Sequence, residues 1–392
     1  MEGLRGLAAV IVLHCHLFFP GPDVDPRYSP SAAGYLFQVG QGAVLLFFVI
    51  SGYVIGLGNR QPFSRNGAVN YLQRRWVRIY PLYLIAVLLS VVAMRETGAW
   101  PVIANLFLLQ TPLPFFGETV PLLKGNSNLW SLQYEAIYYL LFLWIWARKT
   151  PVHWPILGCT ILVGAAWWIP GGLPPLLTNY AAGWAFWMAG LWLARSPTTM
   201  TPARLPWPSL LLLFCATWNM KPVAILMDRL GHAPPVEGWI NISVLEFLPV
   251  CVALLMAVTA RRPPGWRGLV GAAFAVPGLL CCWQIKRGNF LHDYLAPYEC
   301  LVIAAVLLAW WRPSGTAWVK LAPFGAISYG VYVFQRPVQW WVRDQAWLPA
   351  GTAASYLLRA ALILSLTVLL AWLAEKKLQP WLRLKLRPAH AT

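Results

Sequence analysis

Charge is what this chain has least of. Asp, Glu, Lys and Arg make up 11% of its 392 residues, and only 13 residues are acidic. A soluble domain carries about 25% charged residues. With 59% apolar residues and a mean hydropathy of +0.57, a soluble fold would leave much apolar surface facing water. Disorder is excluded too, because disordered chains lack aromatics and here they are 14%. The seven cysteines (Cys15, Cys159, Cys215, Cys251, Cys281, Cys282 and Cys300) form no C-x-x-C pair and no Cys/His cluster of zinc spacing. They read as small buried hydrophobes, and no metal site is expected. No basic n-region or A-x-A site marks a cleavable signal peptide. No repeat of 20–50 residues stands out, and no polar block is long enough for a second soluble domain.

What is present is a succession of apolar runs. Roughly 230 apolar residues are enough for around ten membrane spans of about 20 residues. Runs fall near 4–20, 34–57, 77–94, 128–147, 154–170, 176–194, 207–220, 240–260, 268–285, 295–311, 321–342 and 352–374. The expected fold is an all-α, polytopic integral membrane protein with about 10–12 transmembrane helices. Residues 1–374 form its membrane domain, and 375–392 a short basic tail on the inner leaflet. The piece Pro101–Leu109 is too short to cross alone and reads as interfacial or re-entrant.

The net charge of +17 fits this topology. With a cytoplasmic N-terminus and alternating spans, nineteen Lys and Arg fall on the cytoplasmic side and nine opposite. That bias predicts both termini inside, in a bacterial-type inner membrane. The basic charge therefore needs no nucleic-acid partner; the lipid bilayer is the surrounding partner.

In such a solvent an ionisable side chain inside a span is informative. It costs about 2.5–3.5 kcal/mol on insertion scales and faces a cavity or a partner. Candidates are Arg5, His14, His16, Glu135, Glu246, Glu299 and Arg336, with Arg78 at a span mouth. Arg5 and His16 are eleven residues apart, so they share a helix face within about 20° and lie about 16 Å apart along the axis. A neutral His16 can serve as a general base; the bland alternative is a histidine bonded between helices. Ser51-Gly52 in the second run suits close helix packing, the better reading for Gly52; Ser51 can bond a substrate or His16. Arg74, Arg75 and Arg78 precede Pro81. Arg74 and Arg78 are i,i+4 neighbours, while membrane anchoring suffices for Arg75. Clustered guanidinium groups also suit the phosphates of a nucleotide-bearing donor. Ser131, Glu135 and Tyr138 form one stripe on the fourth run. Glu135, its only acid, needs a partner or a proton, and His16 or an arginine would serve. Ser328, Tyr329, Tyr332 and Gln335 give a late run a polar side, which is expected to break at Pro337.

Together these segments resemble the acyltransferase 3 family of membrane acyltransferases over nearly the whole chain. Arg5 and His16 match the family's Arg-x10-His pattern. Phe47-Phe48-Val49-Ile50-Ser51-Gly52-Tyr53 matches FFxxSGF. Arg75, Arg78, Ile79 and Pro81 match R-x-x-R-I-x-P. Trp130, Ser131, Leu132 and Glu135 match W-S-L-x-x-E, and Ser328, Tyr329, Gly330 and Tyr332 match S-Y-G-x-Y. The resemblance implies O-acyl transfer, usually of acetyl from cytoplasmic acetyl-CoA, to a hydroxyl of a carbohydrate or cell-envelope glycan. Acyl-CoA is then a donor substrate, and no cofactor is permanently bound. The resemblance also implies His16 as base, Arg5 and Arg78 holding the donor or the site, and Ser51, Trp130, Ser131 and Glu135 lining it. Glu135 would orient or charge His16 as in a triad.

Two departures stand out. Gln335-Arg336-Pro337 replaces the family's common His-x-Pro, which puts that histidine's role in doubt here. Only Met1–Leu4 precede Arg5, which raises the expectation of a start upstream of Met1. No SGNH-type esterase domain is expected to follow, so transfer would be completed by the membrane part or by a separate partner. A transporter or flippase for a glycan or lipid-linked intermediate is the competing class, since Arg, His and Glu also suit proton relays. No matching broken spans in two halves support it. A noncatalytic scaffold leaves the Arg5/His16 pair and the Glu135 stripe unexplained.

Overall fold

The computed structural model describes residues 1–18, 22–30, 38–94, 98–115, 118–169, 173–198, 204–232 and 242–385; side chains at 112–115, 118, 242 and 243 are outside that description. The chain runs α1 (Glu2–Leu17), α2 (Gly40–Gly58), α3 (Arg65–Met94) and α4 (Ala99–Leu106). An antiparallel hairpin of β1 (Thr111–Phe115) and β2 (Glu118–Val120) follows. A 3-10 turn at Ser127–Leu129 then leads into α5 (Trp130–Ala147), α6 (His153–Ala165), α7 (Pro175–Arg195), α8 (Trp207–Met220) and α9 (Pro222–Arg229). A second 3-10 stretch, Ile242–Phe247, opens α10 (Leu248–Ala257). After it come α11 (Trp266–Arg287), α12 (Ala296–Leu307), α13 (Thr316–Gly325), α14 (Ser328–Arg343) and α15 (Ala353–Leu373). A π-helical turn, Ala374–Leu378, continues into α16 (Gln379–Lys385).

The protein is all-α apart from the one hairpin among the described residues. Each of the twelve apolar stretches contains a helix. By length and composition, Gly40–Gly58, Arg65–Met94, Trp207–Arg229, Trp266–Arg287 and Ala353–Lys385 can cross a bilayer, and three shorter apolar helices accompany them. The late run breaks at Ala326-Ile327, between α13 and α14, and not at Pro337, which lies inside α14. The boundary drawn at 374/375 falls within a continuous helical run to Lys385, so the first part of the expected tail is packed structure. Residues 386–392 lie outside the described residues.

Without water to drive apolar surfaces together, membrane helices associate through close van der Waals packing. Here α2 and α7 meet at backbone distance. A methyl group added to Gly52 would overlap the carbonyl oxygen of Trp187, and one added to Gly190 would overlap that of Val49. The pairing is reciprocal, and the packing role expected of Gly52 is its role here. α1 packs against α13, α2 and α14, and α14 also packs on α3 and α15. The sides of the bundle that hold the polar residues of α1, α2, α3, α5 and α14 thereby face one another.

Two buried charges fix the far ends of these helices. Arg359 on α15 uses all five of its N–H donors on carbonyls. Nε donates to Pro349, Nη1 to Val342 and Arg343, and Nη2 to Gln345 and Leu348. It thus satisfies the terminal carbonyls of α14, which have no partner inside the helix. Asp25, in the loop after α1, is fully buried. It accepts from the Ser355 hydroxyl at 2.6 Å and from the N–H groups of Arg27 and Gly351. Burial pushes the Asp25 carboxyl up, but these hydrogen bonds and the nearby Arg359 charge outweigh it and hold the group below the usual carboxylate range.

Two predictions follow from this packing. Gly52→Ala and Gly190→Ala are each expected to destabilise the fold by at least about 1–3 kcal/mol, because the obstacle is backbone and cannot rotate away. Thermal unfolding in detergent checks this, and unchanged midpoints would refute the contact. For Asp25 the lowered pKa means its stabilisation is present above the unfolded-state value of about 3.9 and disappears as pH falls through the folded value. The stability gap between wild type and Asp25→Asn should therefore be constant near neutrality and close as the pH drops below about 4. A gap that widens on acidification would contradict the assignment.

Candidate active site

Two cavities lie on either side of a thin wall. The first, about 90 Å³, is lined by Arg5 of α1, Ser51 of α2, Arg75 and Arg78 of α3, Ser131, Glu135 and Tyr139 of α5, and Tyr329 and Tyr332 of α14. The second, about 520 Å³, holds His16 and Cys15 from the end of α1, with Asp23, Asn128, Trp130 and Arg336. Val44 and Tyr332 are the residues that line both.

Helix geometry accounts for the split. Arg5 and His16 share a face, but their axial separation of about 16 Å puts them at opposite ends of that face. Arg5 enters the arginine-lined cavity and His16 the other. Three guanidinium groups and one carboxylate, Glu135, line the arginine-lined cavity. Arg5 pairs with Glu2 at 3.2 Å, one turn earlier on α1. Arg78 is bound by Glu375 at 2.9 Å, and both Arg78 and Arg383 donate to the Gln379 side chain. Arg75 has no ion-pair partner among the described residues, its Nε makes no hydrogen bond, and its guanidinium lies 6.0 Å from the Tyr139 ring centre. An unpaired, half-buried guanidinium in a cavity calls for an anion.

The expected His16–Glu135 pair is not formed. Glu135 accepts from the Ser51 hydroxyl at 2.7 Å and from the Tyr139 hydroxyl at 2.5 Å, so Ser51 is occupied by Glu135 and not by His16. The reason is again axial position: Glu135 is one turn deeper into α5 than Ser131, on the arginine-cavity side of Tyr332. His16 instead lies beside Arg336, which pairs with Asp23 at 3.1 Å and bonds Gln339, whose amide in turn donates to the His16 carbonyl. The His16 Nδ1 is buried and makes no hydrogen bond.

The polar stripe on α5 also needs correcting. Ser131 lines the arginine-lined cavity and pairs with the Tyr332 hydroxyl at 2.7 Å, whereas Trp130 lines the histidine cavity. Tyr138 lines neither: its hydroxyl donates to the Tyr180 carbonyl and its ring packs on Phe48 and Trp184. Its neighbour Tyr139 is the one that reaches Glu135, because positions three and four along a helix are both neighbours and packing decides between them. On α3 the same choice favours Arg75 with Arg78. Arg74 is exposed and donates to Asn59 outside the cavity. Glu246 and Glu299 take backbone N–H groups of Val223 and Leu291, away from both cavities. Gln335 is buried and donates to the Tyr332 carbonyl.

Glu375 is the main residue that sequence reasoning missed. Its carboxylate binds Arg78 with one oxygen and the Gly330 N–H at the start of α14 with the other. Gln379 donates to the Arg78 carbonyl and accepts from its guanidinium. A signal was there: Glu375 is the last acid of the chain, alone in a basic stretch. The hydroxyl of Tyr329 takes the Ile79 carbonyl, two residues before Pro81 inside α3, and closes the same corner.

Comparison with known proteins gives one consistent result. The profile described as an acyltransferase domain, of the acyltransferase 3 family, matches residues 1–376. The chain is 29% identical to acyltransferase MdmB of Streptomyces mycarofaciens over 188 residues, 44% of this chain and 43% of that protein. It is 29% identical to exopolysaccharide production protein ExoZ of Rhizobium meliloti (strain 1021) over 124 residues, 29% of this chain and 37% of that protein. The chain thus spans less than half the length of these curated relatives. No solved structure matches it.

Removing Glu375 strands Arg78 in a largely apolar setting. Glu375→Ala is expected to cost about 2–4 kcal/mol, toward the low end for buried pairs because Arg78 keeps about a quarter of its side chain open. Glu375→Gln, which keeps an acceptor for the Gly330 N–H, should cost less. Thermal unfolding in nanodiscs separates the two, and a Glu375→Gln variant as stable as the wild type would rule out the ion pair as the cause.

Proposed function

The chain belongs to the acyltransferase 3 family, and from that premise we propose that it is a membrane O-acyltransferase, moving an acyl group, acetyl first among them, from acyl-CoA to a hydroxyl of a carbohydrate or cell-envelope acceptor. The observation that carries this reading is the pair of cavities sharing Val44 and Tyr332, one with arginines and the other with an unpartnered His16 nitrogen. The name of the ExoZ relative, an exopolysaccharide production protein, supports a carbohydrate acceptor.

In this reading the donor phosphates lie against Arg75, with Arg5 and Arg78, and the thioester points toward Tyr332. The acceptor hydroxyl sits beside His16. His16 takes the hydroxyl proton, the hydroxyl oxygen bonds to the acyl carbon, and the C–S bond breaks with its electron pair on sulfur. CoA leaves as the thiolate and is protonated by solvent. Glu135 does not charge the base; it holds Ser51 and Tyr139 and balances the guanidinium charge on the donor side. The arginine-lined cavity faces the cytoplasm of a bacterial-type inner membrane with both termini inside. The excess of Lys and Arg on that side supports this orientation.

Purified protein in nanodiscs, supplied with labelled acetyl-CoA and candidate glycans, tests the proposal. His16→Ala should lower transfer by about 10²–10⁴-fold with normal membrane insertion. Arg75→Gln should raise the KM for acyl-CoA about tenfold or more and leave the acceptor KM unchanged. Mass spectrometry of envelope glycans should show loss of one acetyl increment when His16 is replaced. Full acceptor acylation by His16→Ala would overturn the mechanism. Glycan translocation without release of free CoA would point to transport instead.

A further inference from the structure

The wall between the cavities is one phenol ring and one isopropyl group thick. Val44, on the second turn of α2, and Tyr332, on α14, are both buried yet contribute surface to each side. Tyr332 is held in place. Its hydroxyl donates to the Asn128 carbonyl at 2.9 Å and pairs with the Ser131 hydroxyl, and Phe47 meets its ring edge-on at 6.1 Å. Asn128 in turn donates to the Tyr332 carbonyl. The ring is therefore fixed at both ends, by helix α14 and by the turn that opens α5.

Reacting atoms must approach to about 3–3.5 Å. A thioester in the arginine-lined cavity and a hydroxyl beside His16 meet only at this wall. The acyl group must then lie against Val44 and Tyr332, in a cavity of about 90 Å³ beside one of about 520 Å³. We propose that Val44 and Tyr332 form a size-selective partition: they limit the transferred acyl group to a short one and screen the thioester from the water of the histidine cavity. This rests on the assignment of the two cavities to donor and acceptor. Val44 sets the depth available to the acyl chain. The Tyr332 ring narrows what remains, so that the acceptor hydroxyl reaches the acyl carbon past the ring edge while a longer chain is excluded, and its seat on α14 and its contact with Phe47 hold the ring there. Tyr332→Phe keeps the ring and so the size limit, whereas Tyr332→Ala removes both.

The test uses the full chain in nanodiscs with acetyl-, propionyl-, butyryl- and hexanoyl-CoA. The butyryl-to-acetyl ratio of kcat/KM is expected to rise about tenfold or more in Val44→Ala and Tyr332→Ala, to stay at the wild-type value in Tyr332→Phe, and to fall in Val44→Phe. Tyr332→Ala should also hydrolyse acetyl-CoA without acceptor. A ratio unchanged in both alanine variants overturns the partition. A second readout does not depend on transfer. A Ser51→Cys variant in sealed vesicles of uniform orientation, exposed to a membrane-impermeant maleimide from the histidine-cavity side, should stay unlabelled when Tyr332 is present. It should be labelled when Tyr332→Ala is added, the site being located by peptide mass spectrometry. Equal labelling with and without the ring overturns the partition even if no acyl-CoA is a substrate, whereas blocked labelling with no transfer overturns the functional reading alone.

Discussion

The ion pair between Arg78 and Glu375 holds the arrangement together. It joins residues 297 positions apart in sequence, and through the second carboxylate oxygen it also pins the start of α14. Three elements meet there: the middle of α3, the first turn of α14 and the π-helical turn after α15. A charge on α3 would be costly in a bilayer without this partner. The π turn lets Glu375 and, four residues on, Gln379 reach the same arginine, both at its guanidinium and Gln379 also at its backbone carbonyl. With Arg78 held this way, α14 presents Tyr329 and Tyr332 to α3 and α5, and the arginine-lined cavity acquires its closed end.

From that corner the rest of the site follows by geometry. α1 supplies a cation and an imidazole on one face, but a helix delivers side chains along its axis as well as around it. About 16 Å of rise separates Arg5 from His16, and Tyr332 intrudes between their levels. A single face therefore serves two compartments. The close approach of α2 and α7, allowed by Gly52 and Gly190, sets α2 firmly enough for Ser51 to line the arginine cavity while Val44, seven residues earlier, forms part of the wall between the two.

Much of this was legible in the sequence, because membrane solvation makes polar residues conspicuous. The helical architecture, the membrane-spanning character and the polar faces of α1, α5 and α14 could be read from apolar runs and their exceptions. Pairings across helices could not. His16 and Glu135 are each a lone polar group needing a partner, and complementary charge made them an attractive pair. Tertiary packing gave each a different neighbour, Arg336 for one and Ser51 with Tyr139 for the other. The choice between Tyr138 and Tyr139, and between Arg74 and Arg75, turned on whether the third or fourth neighbour faces inward, which periodicity alone does not resolve. Glu375 escaped notice because the residues around it carry the composition of a cytoplasmic tail.

Hydrogen-bond satisfaction separates the charges closed to a ligand from those open to one more sharply than position does. Arg359 is almost fully buried and satisfies every donor on backbone carbonyls, so nothing remains for a ligand. Arg75, Arg5 and His16 each keep a buried nitrogen without a hydrogen bond, at the edge of a cavity. An unpaired buried polar atom costs about 1–3 kcal/mol, and other such atoms, Trp187 Nε1 and Thr367 Oγ1 among them, belong to residues that line neither cavity. Where an unpaired nitrogen and an open cavity coincide, the cost is recovered when a ligand supplies the missing partner. In the proposed reaction a donor anion would do so for Arg75 and the acceptor hydroxyl's proton for His16. Tyr332, whose hydroxyl is fully bonded, is the residue between them that no ligand needs to satisfy, as a wall requires.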